Sequence, residues 1–140
     1  MHPDIIVTAT GLKLRFAGGI KLSVDGKAYN PGEKYIWKGV MLEDLPNAAF
    51  VIGYVDASWT LGADATAQLI CRMLSQMKKE GAVEIMPKRT ENEKTSMLDL
   101  PLLKLTSTYV RKASNVLPKA GDSGPWRYAM HNLLGTSRIS

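Results

Sequence analysis

Cysteine is nearly absent from this chain. Cys71 stands alone, so no internal disulfide can form, and a reducing cytoplasm is the expected setting. Histidine is almost as scarce. His2 and His131 sit near opposite ends, and no group of Cys, His, Asp and Glu has the spacing of metal ligands, so no metal site is expected. No apolar run approaches the roughly 18–20 residues of a membrane span. Met1-His2-Pro3-Asp4 is not a basic segment leading into an apolar one, so no signal peptide is expected. Neither G-x-G-x-x-G nor G-x-S-x-G occurs, which removes the usual phosphate cradle and the usual serine nucleophile. Gly18-Gly19 precedes no helical pattern and reads as a turn. Repeats and low-complexity tracts are missing as well.

What is present is globular. The 140 residues are 45% hydrophobic and 22% charged, enough for one modest core. The net charge of +5 is spread singly along the chain. Its densest cluster, Lys78, Lys79, Lys88 and Arg89, reads as a solvated surface with favourable charge at a helix C-terminus. It shows no interleaved aromatics, so nucleic acid is not an expected partner.

Asp4-Ile5-Ile6-Val7-Thr8-Ala9-Thr10-Gly11 is a β-branched run ending in small residues, predicting a buried, parallel strand that needs neighbours on both sides. Residues 20–29 carry alternation followed by Asp25-Gly26, a hairpin signal. Residues 33–40 read as extended, and 48–54 as a second buried strand. A long helix is predicted over 61–80. Leu61, Ala65, Leu69, Ile70, Met73, Leu74 and Met77 form its apolar face. Ser58 or Thr60 can cap its start, Asp64 suits its first turn, and Gly81 its end. A short strand over 83–86, a polar surface loop over 87–94 and proline-punctuated pieces from Ser96 onward complete the pattern. Gly121-Asp122-Ser123-Gly124 is a turn, and residues 126–140 read as a short, fraying helix.

Cys71, on the boundary of the helix's two faces, reads as a packed structural thiol rather than a nucleophile. Met73 and Met77 have core spacing. The junction Gly53-Tyr54-Val55-Asp56-Ala57-Ser58-Trp59-Thr60 runs from strand end to helix start. This is where α/β folds place ligands, because the helix's free N–H groups favour negative charge. It reads equally as an ordinary connection.

The same residues resemble a known family. Residues 4–11 resemble the A-T-G strand of flavoproteins with two dinucleotide-binding domains. Residues 35–54 and the 53–60 junction are similar to the C-terminal FAD-domain segment of Baeyer–Villiger (class B) monooxygenases, most of all the branch with the ethionamide-activating enzyme. Leu117-Pro118-Lys119 and Pro125-Trp126-Arg127-Tyr128 resemble that branch's tail, which the sequence leaves after Tyr128. The family's FAD and NADPH fingerprints, its signature motif and its active-site arginine lie upstream of the matching segment, and this chain contains none of them.

The resemblance implies an α/β fold: a partial FAD domain of a two-dinucleotide-binding-domain flavoprotein, with mixed strands, one long helix and an irregular C-terminal extension. Residues 1–86 would belong to the FAD/NAD(P)-binding domain and 87–140 to the extension. Thr10, Gly11, Gly53, Tyr54, Val55, Asp56, Ala57, Ser58, Trp59 and Thr60 would lie at the cofactors, with no catalytic residue in the chain. The intact enzyme would use FAD and NADPH to oxygenate a small ketone or heteroatom substrate, and this chain alone would retain neither cofactor. Its expected partner is the missing N-terminal portion or a complementing chain, with self-association of the free strand. The alternatives are an interaction module for a chain carrying the FAD fingerprint, or an inactive truncated gene product.

Overall fold

The computed structural model describes residues 3–54, 58–103 and 107–127. It is a mixed α/β arrangement with one long helix and three two-stranded antiparallel sheets.

The first sheet is the expected hairpin. Strands β1 (Leu22–Val24) and β2 (Lys27–Tyr29) pair in the register Leu22↔Tyr29 and Val24↔Lys27. Asp25 and Gly26, at φ 50° and 76°, supply the two left-handed residues that a tight hairpin turn requires. Leu22, Val24 and Tyr29 point toward the core. A 3-10 turn, Pro31–Glu33, follows; Asn30 Oδ1 accepts from Gly32 N at 3.1 Å. A Cβ on Gly32 would lie 2.1 Å from the Asn115 carbonyl oxygen, so only glycine lets the later chain pack there.

The second sheet is the hub. Strands β3 (Ile36–Trp37) and β4 (Met41–Leu42) fold back through Lys38 and Gly39, both at positive φ. Residues 35–45 contribute to all three buried clusters. Ile36, Leu42 and Leu45 meet Leu102; Tyr35 meets Met97 and Trp126; Val40 and Met41 meet Leu69. The later chain is stitched to this hub by backbone. Lys119 N donates to Lys34 O at 2.8 Å, Asp44 N to Pro87 O at 2.9 Å and Lys38 N to Pro125 O at 2.6 Å.

The long helix α1 (Trp59–Glu80) is rich in Ala, Leu, Met and Gln, contains no proline and ends at Gly81 in the left-handed conformation. Lys78 and Lys79 occupy its last turn, where its dipole favours cations. Its buried residues are Gly62, Thr66 and Leu69. At about 100° per residue, Leu61 and Leu74 stand roughly 110° to either side of that line. Both are more than half exposed, so the expected apolar face is wider than the face that packs. Cys71 lies on the far side and is exposed, not packed. Asp64 lies past the first turn, where its carboxylate accepts from Gln68 at 2.8 Å.

Other expectations fail for identifiable reasons. Residues 4–11 form no strand; Ile5, Ile6 and Val7 are 81%, 76% and 84% exposed, because no described element pairs with them. Residues 48–54 make one bridge, Met41↔Ala49, and half-bury the alternate side chains Ala48, Phe50, Ile52 and Tyr54 while Ala49 and Val51 stay exposed, so they form an extended edge rather than a strand covered on both faces. Residues 83–86 are coil, held by a paired exchange in which Ile85 N donates to Asn47 Oδ1 and Asn47 N to Ile85 O. The expected 87–94 loop contains the start of helix α2 (Glu91–Ser96), set by a capping box in which Thr90 and Glu93 bond reciprocally. That backbone bond, aided by the Thr90 and Trp126 side chains and by Arg89, holds the Glu93 carboxyl below its usual range against a smaller desolvation.

Beyond it, β5 (Leu100–Pro101) pairs with β6 (Lys119–Ala120) across α3 (Thr108–Lys112), and a 3-10 turn, Gly124–Trp126, seats Trp126 in the core. Of the helix expected over 126–140, residues from 128 onward lie outside the described residues. No described helix is long and apolar enough to cross a membrane.

The two leucines of α1 separate the packed face from the open one. Leu69→Ala should cost about 2–3 kcal/mol in urea unfolding, and Leu74→Ala no more than about 0.5 kcal/mol. Equal losses would place both in one buried face.

Candidate functional site

The hub positions the strand-to-helix junction. Phe50 N donates to Val40 O at 2.7 Å, and the Phe50 ring packs on Phe16 at 5.0 Å between centroids. The chain then reaches Gly53, whose φ of 72° turns it back over the start of α1. Here the approach is backbone to backbone. A Cβ on Gly62 would meet Tyr54 N at 2.5 Å and the Gly53 carbonyl carbon at 2.7 Å. A Cβ on Gly53 would meet Trp59 O at 3.2 Å. Glycine inside the first helical turn lowers helix propensity by about 1 kcal/mol relative to alanine, and the close crossing explains its presence.

The helix start is open in two respects. Ser58 occupies the cap position, but its side chain accepts no hydrogen bond from the first turn, and that turn carries no acidic residue. No side chain in that cap or first turn therefore supplies a fixed anion to the positive end of the dipole. Ser58, Thr60 and Trp59 are exposed, Trp59 at 67%.

Of the expected site residues, the structure brings together Gly53, Tyr54 and Trp59, with Ser58 and Thr60 beside them. Val55, Asp56 and Ala57 lie outside the described residues. Thr10 and Gly11 are exposed on the N-terminal run, and Gly11, at φ 88°, has open space on the side a Cβ would take. Gly62 was not anticipated as a site residue, although a glycine at the fourth position of a strong helix is the signal that could have found it. Among the described residues, no three of His, Cys, Asp and Glu converge to hold a metal ion.

A second polar cluster lies behind the junction. Glu43 is buried, and its Oε1 accepts from Arg89 Nε at 2.8 Å. The Arg89 guanidinium stacks on the Tyr35 ring at 3.9 Å. The Tyr29 hydroxyl donates to the Glu43 carbonyl at 2.6 Å, and burial, with Asp44 and Glu43 nearby, pushes its pKa well above the usual phenol value, so it stays a donor. Every member is structural in placement.

Sequence comparison finds relatives for most of the chain. Along about nine tenths or more of its length, the chain is homologous to a segment of the FAD-containing monooxygenases. It is 44% identical over 127 residues to the "Probable FAD-binding monooxygenase AlmA" of Acinetobacter baylyi, covering 91% of this chain and 25% of that protein. It is 38% identical over 139 residues to a protein of the same name from another Acinetobacter, covering 99% of this chain and 28% of the relative. With the "FAD-containing monooxygenase EthA" of Mycobacterium tuberculosis it shares 37% identity over 124 residues, 89% of this chain and 25% of that protein. The chain thus spans about a quarter of the length of the curated relatives it matches. No protein-family model and no solved structure matches it.

The crossing at Gly62 sets the sign of one substitution. At an open helical site Gly→Ala stabilises by up to about 1 kcal/mol. Gly62→Ala should instead destabilise by more than about 1 kcal/mol and alter the fluorescence around Trp59, because the obstructing atoms are backbone. Stabilisation with unchanged fluorescence would mean that residues 53–54 do not cross the helix there.

Proposed function

We propose that this chain supplies the C-terminal FAD-domain part of an NADPH- and FAD-dependent monooxygenase that oxygenates a ketone, in Baeyer–Villiger fashion, or a heteroatom. The observation that carries this reading is 44% identity over 127 residues to a segment that makes up 25% of an FAD-binding monooxygenase relative. In it, residues 1–86 serve the FAD/NAD(P)-binding domain and 87–140 form the extension. A reducing cytoplasm suits the exposed Cys71 thiol.

The junction's chemistry suits a flavin. The first turn of α1 has neither a side-chain cap from Ser58 nor an acidic residue to compete with an electron-rich ring. Gly53, Tyr54, Val55, Asp56, Ala57, Ser58, Trp59 and Thr60 would line the isoalloxazine, with backbone N–H groups stabilising negative charge on its pyrimidine edge. Thr10 and Gly11 would sit where small residues admit close passage of backbone beside the cofactors. FAD, when bound, supplies the electron transfer from NADPH and the activation of oxygen. The chain's own contribution is to orient the ring and to keep its reduced form charged.

A pyrophosphate site is a different matter. FAD's pyrophosphate is ordinarily held by a glycine-rich loop at a helix start, and this sequence has no such fingerprint. In this reading the pyrophosphate site is supplied by the missing N-terminal portion or by a complementing chain that carries one. The exposed Ile5, Ile6 and Val7 support an interaction role, since an unpaired β-branched run templates a sheet edge from another chain. Without that partner the run is satisfied by self-association.

One gel-filtration experiment addresses both points. Purified with excess FAD, the chain should elute colourless and larger than its 15.4 kDa monomer. Co-expressed with the part of AlmA outside the matched segment, it should elute as a yellow complex that oxidises NADPH. A yellow monomer from the chain alone, or no flavin complex with the added part, would defeat the proposal.

A further inference from the structure

A groove of about 660 Å³ lies between β5, α3 and the stretch leading into β6, and no described residue of the junction lines it. Leu102, Val110 and Pro118 form its buried floor, and Leu100, Leu103 and Leu117 its half-buried walls. Its size and apolar lining are those of a small-molecule site, where a few polar groups at one end fix orientation. Among the described residues, the polar side chains that line it are Arg111, Ser114 and Lys119, and none that lines it is acidic. Lys119 is neutralised by Asp99 at 2.6 Å. Arg111, in the last turn of α3, has no ion pair with a described residue.

An apolar trough with a single uncompensated guanidinium at its rim is complementary to one kind of ligand. We propose that this groove binds a single-chain fatty carboxylate, with the alkyl chain along Leu102, Val110 and Leu117 and the carboxylate at Arg111. The alkyl chain supplies affinity by burying apolar surface. The guanidinium supplies selectivity, because its planar fork matches a carboxylate and no acid among the described residues pairs with it. This site does not rest on the flavin reading; it needs neither FAD nor the partner chain.

The test uses the full chain and decanoate below its micelle concentration, followed by methyl NMR and calorimetry. Decanoate should bind saturably at one site and shift the methyl signals of Leu102 and Val110. Decanol should bind about twofold to fivefold more weakly, the effect of one rim ion pair. Arg111→Gln should abolish that difference while leaving decanol binding unchanged. Ser114→Trp, an exposed rim position that does not disturb the core, should block both ligands. The proposal is overturned if decanoate does not saturate, if decyltrimethylammonium binds as well as decanoate, or if Ser114→Trp binds normally. It is also overturned if concentrating the protein alone produces the same methyl shifts, which would mean that a second copy fills the groove.

Discussion

A buried carboxylate holds this chain together. Glu43 is 3% exposed, and a charge so placed is costly unless it is paired. Arg89, 46 residues later, provides the pair and lays its guanidinium on Tyr35. Glu43 N donates to Tyr35 O at 2.9 Å, and its carbonyl accepts the Tyr29 hydroxyl. Lys119 approaches the same Tyr35 ring at 5.7 Å. Glu43 thereby ties the hairpin, the hub and the segment after α1 to each other, and Tyr35 adds the C-terminal strand. The second Glu43 oxygen, Oε2, is buried with no partner among the described residues, so the Arg89 bond carries the compensation.

That constraint reaches the candidate site through the backbone. Residues 40–42 lie between the Glu43 cluster and the extended edge that runs through Phe50 to Gly53. Val40 and Met41 also pack on Leu69, so the same short hub supports both arms of the junction, the incoming edge and α1. The junction is braced from beneath while its outer side, with Trp59 and Leu61, stays open. This division suits a segment that presents one face to a cofactor and a larger partner while keeping its own core. The open face of α1 and the unpaired residues 4–11 are the surfaces such a partner would cover.

Local signals were the legible ones. The hairpin at Asp25-Gly26 and the helix ending at Gly81 depend on residues within a few positions of each other, and both form where the pattern places them. The run through Ile5 and Val7 has the composition of a covered strand, but composition specifies a preference, and pairing requires neighbours. Residues 48–54 fail in the same way, with a half-buried alternation where full burial was expected. The Thr90–Glu93 capping box was readable and overlooked within a polar stretch. The Glu43–Arg89 pair was not readable. Arg89 sits in a basic cluster that looks solvated, and only the fold brings it to a carboxylate far away in sequence. For the junction, position on the chain was legible, whereas the Gly62 crossing that gives it shape depends on a backbone contact made only in the fold.

The dependence of the fold on this pair can be measured directly with a double-mutant cycle in urea, using Glu43→Gln and Arg89→Met. Glutamine keeps the size of Glu43, and methionine keeps an apolar stem over Tyr35. If the buried pair holds the segments together, each single variant loses several kcal/mol, on the order of 3, and the double variant loses less than their sum by about 1.5 kcal/mol or more. A coupling below about 0.5 kcal/mol would show that the two residues stabilise the fold independently and that the hub stands without their contact.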